Sequence, residues 1–110
     1  EMTLEKSVNL TEKDRRILEE EIYYWLGIAE YQMGHFTEAL ESFKKSYETG
    51  KKLPNPEMRP LQAVAAYQAG RTSERMNNSE EAARYYQKVL EQNNSDEAKR
   101  MARQRLEALN

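Results

Sequence analysis

The chain has 110 residues, enough for one modest domain with one core. Charged residues make up 33% and hydrophobic ones 38%, a balance suited to stacked amphipathic helices, and a net charge of −2 supplies no basic field for nucleic acid. There is no Cys, which excludes a disulfide framework, a thiolate metal site and a thiol nucleophile, and no apolar run nears the ~20 residues that cross a bilayer.

Gly and Pro are scarce, β-branched residues are few, and Glu, Ala, Lys, Arg, Gln and Leu dominate, so propensity favours helix almost throughout. A short helical piece is expected at 2–9. Thr11-Glu-Lys-Asp14 carries a hydroxyl cap with an acid three residues on and starts a helix predicted over 12–34. Gly34-His35-Phe36-Thr37 is a tight turn into a helix over 37–52. All three prolines fall between Gly50 and Pro60, which marks the main linker, with Asn55-Pro56-Glu57 as a helix cap. Pro60 must lie in the first turn of the helix predicted over 58–76 or begin it, because an interior Pro costs ~3 kcal/mol. Asn77-Asn78-Ser79 turns into a helix over 79–92. Asn93-Asn94-Ser95 turns into the last, 95–109, with Ser95 as its cap. No strand-like alternation occurs.

An internal repeat runs through these elements. Tyr23-x-x-Leu26-Gly27 precedes Ala39-x-x-x-Phe43, and Ala66-x-x-Ala69-Gly70 precedes Ala82-x-x-x-Tyr86. Gly to Ala is 12 residues in both copies and Ala to aromatic is 4. Small residues let two antiparallel helices approach, and the aromatic fills the space beside them. Leu4-Glu-Lys-Ser7-Val8 is a third trace, aligned with Phe43-Lys-Lys-Ser46-Tyr47.

These spacings resemble the tetratricopeptide repeat (TPR), a helix–turn–helix unit with W-x2-L-G and A-x3-F signatures. The resemblance implies an all-α solenoid of antiparallel helix pairs. The tail of a preceding repeat helix would lie at 2–10, repeats at 12–52 and 58–92, and a C-terminal capping helix at 95–109. The first residue, Glu1, is not Met, and a fragment of a longer chain is expected. The period of 39 to 43 residues is longer than the usual 34. Glu30 and Ser73 stand where the pattern expects an aromatic.

On a helical wheel the first long helix has two apolar arcs. Leu18, Ile22, Tyr23, Leu26, Gly27, Ala29 and Met33 are expected in the core. Ile17, Tyr24, Ile28 and Tyr31, flanked by Trp25 and Gln32, form the other arc. In TPR folds the first helices of successive units line a concave groove, so the resemblance places Tyr24, Ile28, Tyr31 and Gln32 there. The next unit would add Val64, Tyr67, Gln68, Arg71 and Arg75. Aromatic residues beside arginines suit an interface. The alternative is that this arc packs on residues 1–10 or on an upstream repeat.

Nothing points to catalysis. His35 is a lone turn histidine without Cys, Glu19-Glu20-Glu21 reads as a solvated charge run, and no glycine loop suits a phosphate. Lys99, Arg100, Arg103 and Arg105 read as the solvated side of a cap whose Ala98, Met101, Ala102, Leu106 and Leu109 dock inward. No cofactor or metal is expected, and no nucleic acid or membrane insertion. The expectation is a non-enzymatic module binding a protein or peptide as a scaffold or adaptor. Self-association as a homo-oligomer, structural packing, and regulation within a longer protein are the alternatives. No residue pattern assigns a compartment.

Overall fold

A computed structural model describes residues 11–53, 60–92 and 95–109. Five helices follow one another: α1 (Glu12–Gln32), α2 (Phe36–Lys51), α3 (Leu61–Arg75), α4 (Ser79–Leu90) and α5 (Asp96–Leu109). There is no strand among the described residues. The expected pieces at 2–10 and the Asn55-Pro56-Glu57 cap lie outside the described residues.

Three helices, α1, α4 and α5, start where a side chain satisfies a free backbone donor, whereas His35 and Pro60 before α2 and α3 make no such side-chain bond. Thr11 Oγ accepts from Asp14 N at 3.0 Å, Asn78 Oδ1 from Glu81 N at 3.2 Å, and Ser95 Oγ from Ala98 N at 3.1 Å. Pro60 sits immediately before α3, and its carbonyl accepts the first helical bond, from Val64 N. The two tight turns use left-handed backbone, Gly34 at φ 80° and Asn77 at φ 61°. That conformation lets the chain reverse within three or four residues.

α1 therefore packs antiparallel on α2, α3 on α4, α2 on α3, and α5 on α4. Gly27 and Gly70 are the close-contact points: a Cβ would lie 2.7 Å from the Phe43 ring at the first and 2.6 Å from the Tyr86 ring at the second. Phe43 and Tyr86 are both fully buried, and each contributes on the order of 1.5–3 kcal/mol through burial. Between them lies a seam of small residues: Ala39, Ala63, Ala65, Ala66, Ala69 and Ala82.

The core arc expected for α1 is corrected. Tyr24 and Gly27 are buried, whereas Leu18, Ile22, Trp25, Leu26 and Met33 are exposed and Tyr23 is half-buried. Leu18 and Gly27 are nine residues apart, so at about 100° per residue they point in opposite directions and cannot both face α2. The Gly27–Phe43 contact decides which arc turns inward. A second correction concerns the acidic run: Glu19 and Glu21 are exposed, but Glu20 is fully buried. Its carbonyl accepts from Ser46 Oγ at 2.9 Å, and its carboxyl lies against Gly50 of α2. An acid can sit there because position 50 has no side chain.

Candidate functional site

The inner ends of α1, α3 and α5 enclose an open pocket of about 450 Å³. Tyr31, Tyr67, Arg71, Glu74, Arg75 and Arg105 line it. Three guanidinium groups therefore face one carboxylate in a chain whose overall charge is negative.

The Tyr31 ring is the organising surface. Arg71 lies 4.9 Å from its centroid and donates from Nη2 to the Tyr31 hydroxyl at 3.2 Å. Arg71 Nη1 donates to Gln68 Oε1 at 3.0 Å. Arg75 stacks 5.0 Å from the Phe36 centroid and 6.0 Å from that of Tyr31. Phe36 meets Tyr31 edge-on at 5.2 Å. The ring contacts hold both guanidinium groups in place; Arg71 gives one N–H each to Gln68 and Tyr31 and keeps its remaining N–H groups for another acceptor.

The opposite wall is an ion-pair network. Arg105 Nε donates to Glu74 Oε2 at 3.0 Å, with a second contact from Nη2 to Oε1, and Tyr86 Oη donates to Glu74 Oε2 at 2.6 Å. The Arg105 hydrogen bonds hold the Glu74 carboxyl below its ordinary value, against the opposing effect of burial. Burial, reinforced by the Glu74 carboxylate, pushes the Tyr86 phenol up. Glu74 thus stays charged and Tyr86 neutral across the physiological range.

Of the residues singled out in the sequence, Tyr31, Tyr67, Arg71 and Arg75 come together in the pocket. Gln68 braces Arg71 from behind. Tyr24 is buried in the core, where burial raises its hydroxyl and Gln68 hydrogen-bonds it. Ile28 is half-buried against the same core, and Gln32 is exposed outside the pocket lining. Two lining residues were not foreseen. Arg105, assigned to the solvated side of the cap, reaches Glu74 across 31 residues of sequence. Glu74 has no feature of its own in the sequence beyond standing one repeat, 43 residues, after Tyr31.

Two helix pairs with the same glycine and aromatic contacts, stacked with a fifth helix on the end, form a repeat architecture. The tetratricopeptide repeat family model matches residues 18–95. The chain belongs to the TPR family. TPR units are typically non-catalytic modules that bind other proteins, and this TPR chain is a protein-interaction module in that general sense. No curated protein and no solved structure matches it. Among the described residues, no helix is long and apolar enough to cross a membrane, and no group of three His, Asp or Glu could hold a metal ion.

Proposed function

We propose that this TPR segment captures a partner peptide through an acidic side chain seated in the pocket between α1, α3 and α5. The observation that carries this reading is the charge of the lining. Glu74 is already engaged by Arg105 and Tyr86, so Arg71 and Arg75 present cationic edges without a matching carboxylate in the pocket wall. Their stacking on Tyr31 and Phe36 keeps them ordered before the peptide arrives, which lowers the entropy lost on binding. Tyr67 and Tyr31 supply apolar surface beside the charge, and Tyr, Trp and Arg are the residues that dominate interface energetics. The partner is thus a protein bearing an Asp or Glu next to an apolar residue, and the role is that of an adaptor or scaffold.

Some TPR domains grip a terminal carboxylate with Lys and Asn on the first groove helix. The α1 positions here are Tyr24 and Ile28, so a side-chain carboxylate is the better match. The test is an array of short synthetic peptides in which each acidic residue is paired with its Asn or Gln counterpart. Acidic members should bind preferentially, with affinity falling as salt rises, and Arg71→Ala with Arg75→Ala should lose about tenfold or more while retaining helicity. Equal binding of the acidic and amide peptides would remove the proposal.

A further inference from the structure

The charge of the pocket exceeds what a single carboxylate neutralises. Arg71, Arg75 and Arg105 face Glu74 alone, so three guanidinium groups against one carboxylate leave two positive charges. Arg105 is engaged by Glu74, which also takes the Tyr86 hydroxyl. The surplus falls on Arg71 and Arg75, and neither forms an ion pair among the described residues. They stand one turn apart on α3, and both guanidinium carbons lie within 6.0 Å of the Tyr31 ring centroid. Like charges four residues apart on a helix repel. One aromatic ring thus gathers two cations that the pocket wall leaves unneutralised.

We propose that the occupant these two arginines fit best is a phosphorylated serine or threonine side chain, so that phosphorylation of the partner strengthens its capture. Such capture presupposes that the pocket takes an acidic peptide side chain, as proposed above. A carboxylate brings one negative charge and two oxygens. A phosphomonoester brings about 1.5 to 2 negative charges at pH 7 and three acceptor oxygens around one atom. That matches the surplus in the lining, and it places the charge at one point, where Arg71 and Arg75 converge on Tyr31. The donors match as well. Arg71 gives one N–H to Gln68 and one to Tyr31, and its other N–H groups remain. Arg75 is exposed and held by ring contacts alone among the described residues, so its fork is available for a bidentate contact. The Tyr31 hydroxyl accepts from Arg71 and keeps its own proton to give.

Solvation and repulsion do not oppose this. A dianion in a closed cavity would lose most of its hydration. Here the pocket is open, Arg71 and Arg105 are half-buried and Arg75 is exposed, so the outer phosphate oxygens stay in water while the inner ones meet the guanidinium groups. Glu74 is the one lining group that would repel a phosphate, and both its oxygens are capped. Oε2 accepts from Arg105 Nε and Tyr86 Oη, and Oε1 accepts from Arg105 Nη2. Two neighbouring acidic residues would bring the same charge on separate groups, which cannot share the point where the guanidinium groups converge.

Binding of synthetic peptides to the 110-residue chain tests this. The probes are an oriented library whose central position is phosphoserine, Glu, a Glu-Glu pair, Gln or Ser, with apolar residues beside it. Phosphoserine peptides should bind about tenfold or more tighter than Glu peptides at ~0.15 M salt. Arg75→Gln, at an exposed position, should shrink that advantage to about threefold or less with helicity and melting unchanged, because a single surplus charge suits a monoanion. Equal binding of phosphoserine and Glu peptides, both ahead of Ser and Gln, overturns the phosphoryl preference and leaves the carboxylate site standing. A Glu-Glu peptide that equals phosphoserine overturns it too. Ser and Gln peptides that bind as tightly as the charged ones overturn both proposals for the pocket. A phosphoserine advantage that survives Arg75→Gln intact overturns the assignment to these arginines. Inorganic phosphate that displaces the peptide at equal concentration would assign the site to the free ion and overturn its role in peptide capture.

Discussion

The two helix pairs share a frame and differ in what fills it. In each, a glycine on the first helix admits an aromatic ring from the second, Gly27 with Phe43 and Gly70 with Tyr86. In the first pair the ring is a pure hydrocarbon, and the residue 43 positions before Glu74 is Tyr31, which turns to the arginines of the pocket. In the second pair the ring carries a hydroxyl that bonds Glu74, and Glu74 in turn holds Arg105 of α5. The first aromatic is fixed by packing alone; the second is also fixed by hydrogen bonding to a charge. One repeat scaffold therefore yields an aromatic stacking platform on one side of the pocket and an ion-pair anchor for the last helix on the other.

The largest effect expected from breaking this comparison lies at the glycines. Gly27→Ala and Gly70→Ala should each destabilise by about 1–3 kcal/mol in urea unfolding through overpacking, outweighing the ~1 kcal/mol that Ala gains over Gly in helix propensity. Gly70→Ala should cost more, because the Tyr86 hydroxyl is also held by Glu74 and moving the ring would break that bond as well.

A smaller effect follows from making the second pair resemble the first. Tyr86→Phe removes a hydrogen bond to a carboxylate, worth ~1.5 kcal/mol at the low end for a partly exposed pair. Acid reads the same network. The Glu74 carboxyl is depressed below its ordinary 4.5, so its contribution is complete above that pH and is lost as pH falls through the folded-state value. The melting temperature should fall over that acidic range, and less steeply for Glu74→Gln than for the unmodified chain. Tyr85, pushed up to about 12 by burial, and Tyr86 act at the other end. Both favour the neutral form in the fold, so stability should fall as pH rises above the ordinary tyrosine value of 10.0.

The smallest effect compares Glu30 with its counterpart 43 residues on, Ser73. Glu30 Oε1 accepts from Ser42 Oγ at 2.7 Å, whereas the buried Ser73 Oγ has no hydrogen-bond partner among the described residues. Ser73→Ala should therefore raise stability by up to about 1 kcal/mol in chemical unfolding. A loss instead would mean that the hydroxyl is bonded after all.

Much of the fold was legible in the chain itself. Spacings of 12 and 4 residues and the capping residues Thr11, Pro60 and Ser95 are local features, because helix starts and close contacts depend on residue type at short range. The helices so read agree with those observed to within about three residues, as expected where ends fray. The pocket was half legible. Tyr31, Tyr67, Arg71 and Arg75 could be placed on the first helices of successive repeats, which the stacking then brings side by side. What tertiary structure alone decided is which way α1 faces and what meets across long separations. A helical period says which residues share an arc but not which arc turns inward, and the contact of Gly27 with Phe43 settles that for Tyr24 against Leu18 and Ile22. Burial of Glu20 beside Gly50 and the reach of Arg105 to Glu74 depend on the stacking of whole helices, and no local pattern encodes either.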